Sequence, residues 1–209
     1  MPGFPELNTH RGERKMLIPK ILNIGSGKDF RKECINLDKD NLWVPDIVCN
    51  LNYPFKEDQK TLFNTKRFGT VEFKEGVFEK IIANDVLEHV TNLTVCMKSC
   101  LDLLEVGGVM EIIVPYDLSL GAWQDPTHVR AFNQSSWIYY TDWSWYLGWT
   151  KEKFHITKLE FGMSELGQRM EAQGMKLEDI INVARAVDRM RVELKKIITQ
   201  GTDKGGQNG

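Results

Sequence analysis

Leu22-Asn23-Ile24-Gly25-Ser26-Gly27 is followed eleven residues later by Asp38, which closes the run Cys34-Ile35-Asn36-Leu37. Two short apolar runs, the first stopped by glycines and the second by an acid, read as neighbouring strands of a parallel sheet buried on both faces. Glycines at a strand's C-terminal edge let the main chain turn tightly and approach a ligand without a Cβ in the way. A carboxylate ending the next strand can accept hydrogen bonds from both hydroxyls of a ribose. Together they suit any adenosine-bearing cofactor. A plain strand-to-helix turn beside a solvated Asp is the competing reading.

Working outward, the same punctuation recurs. Asp46-Ile47-Val48-Cys49 and Phe78 to Ala83 give a third and a fourth strand. Leu93, Met97, Leu101 and Leu104 share one face of a helix. Gly107-Gly108 reads as its stop and turn, before a fifth strand from Val109 to Val114 closed by Pro115. Alternation of this kind predicts a doubly wound α/β sheet. His155 to Phe161 reads as a strand, and Met163 to Ala186 as helical with a break at Gly174. Arg189 to Lys195 alternates strictly and is read as a half-exposed strand, although the spacing of Met190 and Leu194 also fits a helix. The stretch between Gly27 and Asp38 is too short for a full helix plus a strand, so the first helix should shrink to a turn.

The expected organisation is an irregular N-terminal arm over 1–19, one domain over 20–198 and a disordered tail over 199–209. That tail carries no apolar anchor. The 209 residues suffice for one large domain, and 42% hydrophobic with 27% charged residues is ordinary globular composition. A net charge of −2 offers no electrostatic reason to expect nucleic acid or an anionic membrane. No apolar run approaches the ~20 residues that span a bilayer. Cys34, Cys49, Cys96 and Cys100 lack zinc-type pairing, so buried thiols and a cytoplasmic location are expected.

The ordered series Asn23-Ile24-Gly25-Ser26-Gly27, Ile35-Asn36-Leu37-Asp38, Pro45 to Leu51, Ala83-Asn84-Asp85-Val86-Leu87-Glu88-His89-Val90 and Leu104-Glu105-Val106-Gly107-Gly108 resembles the class I S-adenosylmethionine (SAM)-dependent methyltransferases. The likeness is to the group with a Leu-Glu-His motif after the fourth strand and covers roughly residues 20–135. It implies a Rossmann-like, seven-stranded, mostly parallel sheet with an antiparallel last strand, and SAM as cofactor. Residue by residue, it places Ile24, Gly25, Ser26 and Gly27 under the methionine part of SAM and Asp38 on the ribose. Asn50 and Leu51 fall beside the adenine, and Asn84, Asp85, Val86 and His89 at the sulfonium and amino-acid end. For His89 the favoured reading is structural, bonding to backbone or to Glu88, with direct chemistry as the alternative. Asn23 stands where the family usually has an acid, and Asp29 where it has a third glycine. In the dinucleotide pattern Phe30 takes the third glycine's place, which counts against NAD.

Beyond the fifth strand, Trp123-Gln124-Asp125-Pro126-Thr127-His128-Val129-Arg130-Ala131-Phe132 lies where an acceptor should sit. The expected roles are His128 as base with Asp125 orienting it, and Arg130 and Trp123 as acceptor contacts. An even alternative has Asp125 and Thr127 capping a helix and Arg130 pairing with a carboxylate. The aromatic run of Trp137, Tyr139, Tyr140, Trp143, Trp145, Tyr146 and Trp149 fits an acceptor pocket, core packing, or the interface of a homodimer. Scattered histidines argue against a metal, Asp125 with His128 being the one conceivable half-site. The expected activity is methyl transfer to a small-molecule or glycan-like acceptor. The rivals are a non-catalytic SAM-binding protein or partner subunit, and an NAD-dependent oxidoreductase.

Overall fold

The computed structural model describes residues 7–8, 14–15, 17–55 and 62–199. Most of the expected arm, the tail from residue 200, and residues 56–61 lie outside the described residues. Leu7–Asn8 and Arg14–Lys15 pair as a short antiparallel ladder.

The sheet is built from β1 (Ile21–Ile24), β2 (Ile35–Asp38), β3 (Ile47–Val48), β6 (Phe78–Asn84), β7 (Leu104–Pro115), β8 (Glu152–Met163) and β9 (Val187–Ile198). Between β3 and β6 a separate hairpin forms from β4 (Leu62–Thr65) and β5 (Gly69–Glu72), which the sequence pattern did not announce. The spatial order is β8-β9-β7-β6-β1-β2-β3. The first four strands in from the β3 edge and β7 run parallel, whereas β9 is antiparallel to both β7 and β8. This is the expected Rossmann-like α/β sheet.

Burial explains the apolar runs. Every residue of β2 is buried, as are Leu22, Asn23 and Ile24 of β1. Leu22 pairs with Ile35 on one side and Ile81 on the other, so it sits in the sheet's interior. Helix α1 (Leu93–Leu103) covers one face with Met97, Cys100 and Leu101, all fully buried. Asn92 caps it, its side chain accepting from Val95 N–H.

Two expectations need correction. Gly107-Gly108 is no helix stop: α1 ends at Leu103, β7 starts at Leu104, and the glycines lie inside the strand. There the pairing with β6 shifts register between Phe78 and Lys80, and Gly107 takes a left-handed φ of 90° that a side chain would resist. The helical stretch expected over 163–186 shrinks to α3 (Glu165–Ala172) and α4 (Leu177–Ile180), after a four-residue helix α2 (Gly121–Gln124) earlier in the chain. The break at Gly174 is real, with φ of 83°. The alternating run is a strand, longer at both ends than 189–195.

Candidate functional site

The chain leaves β1 towards β2 and β3 on one side, then returns to lay β6 on the other. Loops after β1 and β6 therefore diverge at the C-terminal edge and open a crevice, the place where doubly wound sheets bind ligands. A cleft of about 480 Å³ lies there, within the ~300–1,000 Å³ common for small-ligand sites. Gly25, Gly27, Asp38, Asn50, Leu51, Asp85, Val86 and His89, all expected from sequence, line it.

Gly25 and Gly27 have φ of 58° and 41°, the left-handed region where glycine carries no penalty. A Cβ on Gly25 would meet Val86 Cγ2 at 2.1 Å, so this turn fits tightly under the loop after β6. A Cβ on Gly27 would project beside Asp38, with Oδ2 at 4.0 Å. The Asp38 carboxylate is 8% exposed and held at both oxygens. Gly27 N–H donates to Oδ2 at 2.8 Å and Asp40 N–H donates to Oδ1 at 2.8 Å. An ionised carboxylate offers about four acceptor sites, so each oxygen keeps a lone pair for a ligand hydroxyl. No helix follows Gly27 before β2, only turns, so no helix N-terminus waits for a pyrophosphate.

Other expected residues stand outside the lining. Ile24 is fully buried in the sheet, and Ser26 is buried with its hydroxyl unpartnered among the described residues. Asn84 turns to Asp29, donating to Oδ2 at 3.2 Å. Asn23 is buried beneath the loop and donates to the Asp29 carbonyl and to Asn36 Oδ1, a supporting network rather than a cleft contact. Lys39, Asp40, Trp43, Cys49, Asn52, Val90 and Thr127 line the cleft without having been singled out for it. Trp43, at the lip, is 41% exposed with Lys28 Nζ 5.7 Å from its ring. An aromatic five residues past the β2 acid was the overlooked signal. Asn52 Oδ1 accepts from Thr91 Oγ1 and Asn92 N–H, tying the loop after β3 to the start of α1.

In the segment after β7, Asp125 does not orient His128. Its Oδ1 instead accepts from the backbone N–H and hydroxyl of Thr127 at 2.8 and 2.7 Å, and these bonds hold the Asp125 carboxyl below its usual range. The Thr127 hydroxyl in turn meets His89 Nδ1 at 2.9 Å. His128 is turned inward, its side chain 7% exposed, with Nδ1 on the Ala122 carbonyl and Nε2 3.9 Å from Glu88 Oε1. The His89 and His128 rings meet edge to face at 4.6 Å. Glu88 is buried, and desolvation pushes its carboxyl up to about 7. The Arg130 guanidinium donates to the carbonyls of Val90 and Thr91. Trp123 is 64% exposed, outside the cleft lining.

The aromatic run divides. Trp137 is buried, stacked on Phe132 at 5.3 Å, and Trp149 packs near Tyr140 and Phe154. Tyr139, Trp143, Trp145 and Tyr146 stay exposed. Among the described residues no helix is long and apolar enough to cross a membrane.

No protein-family model matches this chain, and no curated protein matches it in sequence. Solved structures do match in fold. A SAM-dependent methyltransferase from Archaeoglobus fulgidus superposes with a TM-score of 0.58 at 16% identity, over 85% of this chain and 86% of that one. A chain from a complex that contains the Haloferax volcanii Trm112 methyltransferase activator gives 0.51 at 8% identity, over 86% and 84%. The [4+2]-cyclase SpnF gives 0.50 at 13%, over 86% and 74%. At these identities the likeness concerns the fold, which is that of the class I methyltransferases.

Proposed function

We propose that this protein is a SAM-dependent methyltransferase acting on a small-molecule or glycan-like acceptor. The observation that carries the reading is the Asp38 carboxylate at the end of β2, fixed by the backbone N–H groups of Asp40 and of Gly27 in the glycine turn, with turn and carboxylate together lining a cleft at the sheet's switch point. When bound, the cofactor supplies a methyl group already activated on a sulfonium, so the protein's task is mainly orientation and exclusion of water.

In this reading Asp38 accepts both ribose hydroxyls. Trp43, Leu51 and Cys49 offer the apolar wall for the adenine, and Asn50 and Asn52 offer amide groups at its edge. Asp85, exposed after β6 with φ of 49°, is the carboxylate for the cofactor's ammonium, in place of the acid that Asn23 replaces. The absence of a helix after Gly27 argues against a dinucleotide. A base is needed only where the acceptor must lose a proton. His89, held by Thr127 and Asp125, is the imidazole that borders the cleft, and His128 stands behind it.

The test is calorimetric and thermal titration of the purified protein with SAM, S-adenosylhomocysteine and NAD, followed by incubation with an acceptor panel. A native-state ligand at 100 times its Kd stabilises by about 2.7 kcal/mol. Stabilisation by the first two and not by NAD, with S-adenosylhomocysteine formed from SAM in the presence of an acceptor, is the expected result. Binding without turnover across the panel favours the non-catalytic reading, and binding of NAD alone overturns both.

A further inference from the structure

His128, which does not pair with Asp125, belongs to a different arrangement. Among the described residues, Glu88, His89 and His128 form a group whose donor atoms, one from each side chain, lie within 4.8 Å of one another. Glu88 is 2% exposed, and its Oε2 has no hydrogen-bond partner among the described residues. A buried carboxylate oxygen left unpartnered is costly unless a cation or a donor meets it.

The tautomers of both imidazoles can be worked out from their partners. Asp125 can only accept, so the single hydroxyl proton of Thr127 goes to Asp125 Oδ1. The Thr127 oxygen must then accept from His89, which places the His89 proton on Nδ1. His128 Nδ1 lies 2.9 Å from the Ala122 carbonyl and must also carry a proton to bond there. Both rings therefore keep a lone pair on Nε2, and each has its other nitrogen fixed by an oxygen. Metal-binding histidines are usually oriented in this way, by a carbonyl, a carboxylate or a relay to one.

We propose that Glu88, His89 and His128 form a binding site for one divalent first-row transition ion, of which zinc is the best match to two imidazoles and one carboxylate. Tetrahedral bonds of about 2.0–2.1 Å put donors roughly 3.4 Å apart, so the observed spread closes by small side-chain rotations. Three protein donors leave at least one coordination position for an oxygen ligand. His89 also lines the cleft, so the ion stands at the wall facing the acceptor end. The site rests on donor atoms alone and requires neither the cofactor nor the reaction proposed above.

The test uses tag-free, full-length protein stripped with a chelator and titrated with Co²⁺ alone, read by visible absorption and by metal content. One Co²⁺ per chain with ligand-field bands, displaced by Zn²⁺, is the expected outcome. E88Q, H89N and H128N should each weaken binding by about 100-fold or more. T127V, which frees His89 from its relay, should weaken it about 10–100-fold. Circular dichroism of the metal-free variants reports whether they fold, and if E88Q does not, T127V on its exposed loop carries the comparison. Absence of stoichiometric Co²⁺ binding by the wild type overturns the proposal. So does binding unchanged in the folded variants, which would locate the ion elsewhere.

Discussion

Replacing Asp38 by Ala tests the cofactor reading at its anchor. The carboxylate receives two backbone N–H groups, from Gly27 and Asp40, each at 2.8 Å. Alanine leaves both donors without a protein partner, but they border an open cleft where water can reach them. The loss of stability should therefore stay at about 1–2 kcal/mol. Binding has more to lose. Hydrogen bonds to a charged group contribute about 1.5–3 kcal/mol, so losing the ribose contact should weaken SAM or S-adenosylhomocysteine binding about 10–150-fold. A disturbed loop could mimic that loss, and a ligand lacking the 2′ and 3′ hydroxyls separates the two causes. If Asp38 touches the ribose, D38A weakens S-adenosylhomocysteine in calorimetry but leaves the dideoxy analogue nearly unaffected. Equal loss for both ligands, or a Kd within twofold of wild type, would refute the assignment. Asn is the poorer choice of variant. Its single acceptor oxygen can satisfy only one of the two N–H groups and sets an NH₂ against the other.

Two further perturbations probe the surroundings. Gly25→Ala should destabilise by about 1–2 kcal/mol from the left-handed backbone, with a further 1–3 kcal/mol or so from overlap with Val86. In urea melts the G25A/V86A double variant should lose at least about 1 kcal/mol less than the two single variants together, and strict additivity would mean that the tight fit of Gly25 under Val86 is not there. For Glu88 the sign follows from linkage: a folded carboxyl pushed from 4.5 up to about 7 keeps a proton that the unfolded chain has already released. Its contribution to stability is present below pH 4.5 and is lost as pH rises through 7, about 3 kcal/mol at 1.4 per pH unit. In chelator-treated protein the stability difference between wild type and E88Q should fall by about that amount from pH 4 to 8. The facing groups, His89, His128, Asp85 and Asp125, are common to both proteins, and a flat difference would contradict the buried, raised carboxyl.

The sheet was legible in the sequence because its strands are buried on both faces, and such strands must be continuous apolar runs ended by turn residues. Ile21–Ile24 and Ile35–Asp38 obey this apart from one buried asparagine each, and in Phe78–Asn84 the buried run Ile81-Ile82-Ala83 does, after an exposed Glu79. The last strand was legible for the opposite reason: one side of β9 is core, with Met190, Val192 and Leu194 fully buried, so it alternates. The β4–β5 hairpin was not legible, since Leu62-Phe63-Asn64-Thr65 has no strong apolar alternation and its closing Gly69 is the single cue. Gly107-Gly108 misled because a glycine pair after a helix usually marks a turn, whereas here it makes an irregularity within a strand. On the cofactor side, residues close in sequence to a strand end were easy to place, because the strand end fixes their position. The inward turn of His128 could not be read, since it depends on a partner forty residues earlier.

That dependence makes sense of the segment from 125 to 130 as a whole. Taken alone, Asp125-Pro126-Thr127-His128-Val129-Arg130 resembles a catalytic cluster, because it concentrates three chemically able side chains. In the fold its members reach across to consecutive residues of Glu88-His89-Val90-Thr91. Thr127, braced by Asp125, takes His89, and His128 faces Glu88. Val129 N–H donates to the Glu88 carbonyl at 2.8 Å, and Arg130 closes on the carbonyls of Val90 and Thr91. Two motifs that read as separate signals are therefore one docked structure, with the loop after β6 as its base and the segment after β7 laid over it. Five of these contacts involve backbone or a fixed tautomer, so changing either motif alone leaves buried polar groups without partners. A site assembled in this way holds its imidazoles still without help from a bound substrate. It also means that the segment after β7 cannot move freely without dragging the loop after β6, because Val86, which lies against Gly25, is only two residues before Glu88.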